Sequence, residues 1–218
     1  GSLKATNCIR GYHQLIEFCT INNVPFELCG KIIVATSKEE LTALENIYQR
    51  GLANGLQGLK KLTAEQLKEY EPHVAGISGI HVPQTGIVDY RLVAEAYARI
   101  LNSRDVDIKM STKVTGIKRS GSSNIVQTNN GDFQCSLVVS CGGLYADIIA
   151  GMTTDDLQVR IVPFRGEYYK LTPEKEYLVK NLIYPVPDPN FPFLGVHFTR
   201  MAKGGVEAGP NAVLAFKR

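Results

Sequence analysis

Leu137-Val138-Val139-Ser140-Cys141-Gly142-Gly143-Leu144-Tyr145-Ala146-Asp147 reads as a buried strand that runs into two glycines and then a short helix. The Leu-Val-Val run lacks polar alternation, which suits a strand covered on both faces. Two glycines strip side chains from the corner, so that the strand end and helix start can approach another body closely. Two meanings fit equally: a tight corner in any α/β domain, or a surface against which a cofactor packs.

Upstream of this corner, residues 106–110, 114–119 and 125–128 are strand-like, as is the whole run 133–141. Asn130-Gly131 is a hairpin signal between the last two. A helix precedes them, capped by Asp89, with Leu92, Val93, Ala96, Tyr97, Ile100 and Leu101 on one stripe. Nearer the start, Ser2 caps a helix whose apolar face is Tyr12, Leu15, Ile16 and Cys19, and Asn22, Asn23 and Pro25 end it. Residues 26–35 then read as a strand, its Ile32-Ile33-Val34-Ala35 end buried on both faces. Ser37 with Glu40, and Thr63 with Gln66, form capping boxes for two further helices, the second stopping before Pro72. Residues 81–83 are a short extended piece.

From residue 160 the chain is strand-rich and punctuated by prolines, with candidate strands at 160–171, 182–185, 193–199 and 205–209. Residues 1–24 and 86–157 have α/β character, whereas 25–85 and 158–218 have the pattern of a mixed sheet with covering helices. Two such alternations predict interleaved rather than consecutive domains. No internal repeat or low-complexity segment is present.

Composition removes several function classes. The 218 residues carry a net charge of +3 with cations and anions interspersed, and the basic runs are no longer than pairs such as Lys60-Lys61. A nucleic-acid binder would concentrate its cations in a patch. Five cysteines without a Cys-x-x-Cys spacing imply reduced thiols in a cytoplasmic-type compartment. His13, His73, His81 and His197 are scattered, so no metal site is expected. No apolar run approaches the ~18 residues needed to cross a bilayer, and the start lacks a signal-peptide pattern, so a soluble protein is expected.

The chemistry begins with something missing. A dinucleotide-binding turn requires glycines at the first and third positions of Gly-x-Gly-x-x-Gly, so that the backbone can approach a pyrophosphate. Among the 20 glycines no two are separated by a single residue. The chain has no P-loop either. In Ile161-Val162-Pro163-Phe164-Arg165-Gly166-Glu167-Tyr168-Tyr169, a lone Arg165 stands among apolar strand residues. It is either an ion-paired structural group or a carboxylate fork that donates two parallel hydrogen bonds. In Phe193-Leu194-Gly195-Val196-His197-Phe198-Thr199-Arg200, alternation sets Gly195, His197 and Thr199 on one face. That face is a poor core and a reasonable polar pocket wall with Arg200 at its end; a satisfied structural histidine remains the bland reading.

Several long strings carry a resemblance: Val82-Pro83-Gln84-Thr85-Gly86-Ile87-Val88-Asp89-Tyr90, Val162-Pro163-Phe164-Arg165-Gly166-Glu167-Tyr168, Ile183-Tyr184-Pro185-Val186-Pro187, residues 191–199 and residues 209–218. The chain resembles the L-2-hydroxyglutarate oxidase/dehydrogenase family, within the D-amino-acid-oxidase-like FAD enzymes. The resemblance implies a mixed-sheet substrate domain (25–85 and 158–218) interleaved with part of a Rossmann-type FAD domain (1–24 and 86–157) whose N-terminal βαβ is absent. It implies oxidation of L-2-hydroxyglutarate to 2-oxoglutarate, with FAD as cofactor and oxygen or a membrane quinone as electron acceptor. It further implies Arg165 and Arg200 for carboxylate recognition, His197 as the catalytic group near the hydroxyl, and Tyr184 and Thr199 lining the pocket. Val114, Cys141, Gly142 and Gly143 are the positions implied to meet the cofactor. Related enzymes of the group act on glycerol 3-phosphate or amino acids, and a non-catalytic module binding small anions is the competing class.

In that family the glycine fingerprint precedes the point where Gly1-Ser2-Leu3-Lys4-Ala5 begins, and an FAD-contacting region follows Arg218. The resemblance therefore marks the chain as a central piece of an enzyme about twice as long, inactive by itself, whose missing N- and C-terminal parts are its partners. The whole enzyme is expected in the cytoplasm, peripheral at the inner membrane face.

Overall fold

A computed structural model describes residues 2–190 and 193–216, so that Phe191 and Pro192 of one resemblance string, and Lys217 and Arg218 of another, lie outside the described residues. The elements in order are α1 (Leu3–Ile21), β1 (Phe26–Glu27), β2 (Lys31–Ala35), α2 (Leu41–Ala53), β3 (Lys60–Thr63), α3 (Ala64–Tyr70), β4 (Ser78–Val82), β5 (Ile87–Val88) and α4 (Tyr90–Asn102). They continue with β6 (Val114–Ser120), β7 (Ser123–Thr128), β8 (Gly131–Cys135), α5 (Ala146–Ala150), β9 (Phe164–Lys170), β10 (Leu182–Pro185), β11 (His197–Arg200) and β12 (Val206–Leu214). Two compact units result: one from the described residues within Gly1–Ile100 and Gly166–Ala212, the other from those within Leu101–Arg165 and Val213–Arg218. The cuts thus fall inside α4, β9 and β12.

The first unit is built on a mixed sheet of order β3-β4-β2-β10-β11-β12-β9. Its strand β2 is central and buried along Ile32, Ile33, Val34 and Ala35, as the apolar run requires. On one face Ile33, Ala35, Ile80, Val82 and Val186 pack with Leu44, Ile47 and Tyr48 of α2. On the other, Ile32, Val34 and Leu62 pack with Leu67 and Tyr70 of α3. Helix α1 joins Cys19 to Val93 and Ala96 of α4 in a separate cluster.

Local chemistry sets the helix starts. Ser2 Oγ accepts from the Ala5 amide (3.2 Å) at the head of α1. Before α2 a 3-10 turn, Lys38–Glu40, intervenes, and Glu40 Oε2 accepts from the amides of Thr36 (2.6 Å) and Ser37 (3.2 Å). In α3 the Thr63 amide donates to Gln66 Oε1 (3.0 Å) and the Gln66 amide to Thr63 Oγ1 (3.3 Å). Asp89 Oδ1 accepts from the Arg91 amide (2.9 Å) at α4.

Three expectations are corrected. The strand expected over 26–35 is split in two, because Gly30 takes φ +74 and donates its amide to Thr85 O (2.8 Å) instead of to a ladder. Residues 106–110 form no strand. Residues 137–141 form none either: Leu137 and Val139 are each 75% exposed, with no neighbouring strand to pair them. Apolar β-branched sequence needs a ladder partner before it becomes a strand, and none of the described strands supplies one. The second unit's sheet is the antiparallel meander β6-β7-β8, with Gly131 at φ +101 in the expected turn. Asp147 ties α5 to the following segment, its Oδ2 accepting from the Ile161 amide (2.9 Å).

A buried carboxylate fixes the entry to β10. Glu71, 1% exposed, caps the end of α3 and accepts from the amides of Lys180 and Asn181, both at 2.8 Å. Glu71→Ala leaves two amides without an acceptor and is expected to lower stability by about 2–4 kcal/mol. In a chain of this size that is a fall in Tm of roughly 5–10 °C by calorimetry. A transition at the parent temperature would show that the clamp contributes nothing.

Candidate functional site

Three neighbouring strands of the first unit carry a row of polar side chains. Strand β10 runs parallel to β2, with Tyr184 opposite Ile33, and antiparallel to β11, with Leu182 opposite Thr199. These registers put Lys31, Tyr184, His197 and Thr199 on one face, the same face that α2 covers further along β2. Lys31 Nζ stands 4.5 Å from the Tyr184 ring centroid, and the Tyr184 and His197 rings are 4.4 Å apart and tilted by 43°. Tyr184 thus lies between an ammonium and an imidazole.

His197 Nδ1 is 3.2 Å from Gly195 O. A carbonyl only accepts, so Nδ1 carries the hydrogen, and in the neutral ring Nε2 is then the free acceptor. Burial holds the Tyr184 phenol above its ordinary pKa, with Tyr168 adding to the effect, so Tyr184 is an O–H donor at neutral pH. Burial pushes the Lys31 ammonium below the usual lysine range, opposed by Cys8. Lys31 also opens onto a cleft of about 520 Å³ lined by Cys8, Tyr12 and Ile16 of α1, by Leu28, and by Gln84 and Tyr90.

The other sequence-picked residues lie apart from this row. Arg200 projects from the opposite face of β11, where its Nη2 donates to Glu27 Oε1 (2.7 Å) and to Asn181 Oδ1 (3.4 Å). Any substrate carboxylate would have to compete with Glu27 for it. Arg165 is an exposed residue of β9. Sequence reading passed over Lys31, which it absorbed into an apolar strand. The available signal was a single cation at the head of a run otherwise buried on both faces.

In the second unit Val114 opens β6 at a bulge, and Cys141 is exposed beside the two glycines. A Cβ on Gly142 would meet the tip of the Ile149 side chain, Cδ1, at 2.5 Å, so that α5 packs closely on its own corner and a larger residue would displace that tip. Gly143 takes φ +53 with nothing within 4 Å of its Cβ position. Among the described residues no cluster of His, Cys, Asp or Glu could hold a metal ion, and no helix is long and apolar enough to cross a membrane.

The FAD dependent oxidoreductase family model matches residues 2–217. An L-2-hydroxyglutarate dehydrogenase of Indibacter alkaliphilus is 58% identical over the whole chain, which covers 55% of that protein. The mitochondrial L-2-hydroxyglutarate dehydrogenase of Bos taurus is 44% identical, again over the whole chain and 50% of the relative. The chain thus spans about half the length of the curated relatives it matches. The crystal structure of L-proline dehydrogenase from P. horikoshii superposes with a TM-score of 0.81 at 18% identity, over 95% of this chain and 56% of that one, which shows the shared fold. With a family model spanning nearly every residue and a matching fold, the chain belongs to the FAD dependent oxidoreductase family.

Proposed function

We propose that this chain is the substrate-facing part of an FAD-dependent enzyme that oxidises L-2-hydroxyglutarate to 2-oxoglutarate. The observation that carries the reading is the Tyr184–His197 pair, with the imidazole's Nδ1 committed to Gly195 O. Supporting it, relatives at 44–58% identity bear the L-2-hydroxyglutarate dehydrogenase name.

The reaction removes a hydride from C2 and a proton from its hydroxyl. Bound FAD supplies the two-electron acceptor for the hydride. His197 Nε2 accepts the hydroxyl proton as the C2 carbonyl forms, and Gly195 O steadies the resulting imidazolium through Nδ1–H. Tyr184 lines the pocket beside His197, and Thr199 offers a hydroxyl on the same face of the sheet. The carboxylate role that the resemblance implies for Arg165 is kept for the whole enzyme, while Arg200, engaged by Glu27, braces the rear of β11 and reaches substrate only by exchange. Val114, Cys141, Gly142 and Gly143 are the residues assigned to the cofactor, Gly143 having open space at its Cβ position. In this reading 1–24 and 86–157 lie on the flavin side and 25–85 and 158–218 on the substrate side. The electrons pass to oxygen or a membrane quinone, and the whole enzyme works in the cytoplasm, peripheral at the inner membrane face.

In the whole flavin-loaded protein, L-2-hydroxyglutarate is expected to bleach the flavin absorbance, with glycerol 3-phosphate and amino acids ineffective. Bleaching by one of those instead would overturn the substrate assignment. The 218-residue chain alone, lacking any Gly-x-Gly turn, is expected to purify colourless and without oxidase activity. Stoichiometric yellow absorbance in that sample would sink this part of the reading. Arg165→Ala in the whole enzyme is expected to weaken productive diacid binding by about 2–5 kcal/mol if the charge pair is desolvated. Unaltered kinetics would return Arg165 to a structural role.

A further inference from the structure

The Lys31 side chain is out of place on structural grounds alone. It heads the strand β2, whose next four residues are all buried, and it is itself half-buried. No carboxylate pairs with it among the described residues; it stands 4.5 Å from the Tyr184 ring centroid, with Cys8 near enough to act on its charge. Surface lysines that serve solubility extend into water, and buried ones normally meet an anion or a set of acceptors.

The direction of the side chain is informative. Lys31 reaches along the face that carries Tyr184 and His197, and it also lines the apolar cleft under α1. The ammonium and the imidazole lie on either side of one ring, 4.5 and 4.4 Å from its centroid. A short chain running from the imidazole to the ammonium has a proton acceptor at one end and a positive charge at the other. A monocarboxylate 2-hydroxy acid would use only the first of these.

We infer that Lys31 is a specificity-determining residue: its ammonium receives the distal carboxylate of the five-carbon diacid whose C2 hydroxyl lies at His197. This rests on the proposed L-2-hydroxyglutarate reading and adds the group that separates a diacid from a monoacid. Arg200 cannot do this without abandoning Glu27 at 2.7 Å, and it stands on the far face of the sheet. Burial also favours the role, because a desolvated ammonium attracts a carboxylate more strongly than an exposed one and draws the substrate's charged end out of water only when it is matched.

The test uses the whole flavin-loaded protein and its Lys31→Met and Lys31→Arg forms. Steady-state kinetics are measured with L-2-hydroxyglutarate and with L-2-hydroxybutyrate, which lacks the distal carboxylate. Calorimetry follows the binding of glutarate and of butyrate, neither of which can be oxidised at C2. Lys31→Met is expected to raise KM for the diacid, and the glutarate Kd, by about 10- to 100-fold, the effect of one charged hydrogen bond. Its effect on the monoacids should be at least tenfold smaller, and Lys31→Arg should recover part of the diacid affinity. Equal losses for diacid and monoacid, or no loss, overturn the inference. If Lys31→Met does not fold, Lys31→Gln, which keeps a polar end without charge, decides in the same way. The two readings fail separately. Oxidation of L-2-hydroxyglutarate with indifference to Lys31 refutes only this inference. Lys31-dependent glutarate binding in a protein that does not oxidise L-2-hydroxyglutarate refutes only the proposed reaction.

Discussion

The large sheet depends on one buried carboxylate. Glu71 closes α3 and receives the two amides that lead into β10, so a helix lying on one face dictates where the central parallel strand begins. That start fixes the register Ile183 with Ile32 and Tyr184 with Ile33. Because side chains alternate with a period of two, a slip of one residue would turn Tyr184 into the α3 core and bring Ile183 out beside Lys31. Charge-assisted bonds from two backbone amides make such a slip expensive, since both donors and the buried Glu71 carboxylate would lose their partners.

The same sheet divides its faces by length rather than by side. Helix α2 packs over Ile33, Ala35 and Ile80, with Tyr184 of β10 against the same cluster, and Lys31, His197 and Thr199 continue that face beyond it. On the reverse face, α3 packs on Ile32, Val34 and Leu62, and Tyr70 stacks on His81 at 4.3 Å, so aromatic and aliphatic side chains fill it. Arg200 projects from that reverse side of β11 and joins it to β1 through Glu27.

What could be read from the sequence was what short-range chemistry controls. Ser2, Glu40, Gln66 and Asp89 announce helix starts because each capping bond spans only a few residues. Strand 182–185 and the Asn130-Gly131 turn were legible for the same reason, as were the alternating His197 and Thr199. The mixed sheet was legible in the strand pattern and the FAD family in the resemblance; the sheet order bears out the first and the family match the second. Residues 106–110 and 137–141 misled because an apolar run reports a wish to be covered and says nothing about the covering strand. Lys31 stayed hidden for a converse reason. Its meaning comes from Tyr184 and His197, more than 150 positions away in the chain, and no local period encodes that meeting.

The β2–β10 pairing also constrains how the protein can be made. Residues 31–35 must wait for 182–185 before their second ladder exists. Throughout synthesis of the intervening chain, β2 can pair with β4 on one side while Ile32, Ile33, Val34 and Ala35 present an open, uncharged edge on the other. Such an edge is a template for the wrong partner, including another nascent copy. Non-local parallel pairing is slow to form, so the hazard lasts until the late strand arrives. Lys31 at the head of that edge is then a charge placed where it discourages stray pairing, before it has any pocket to serve.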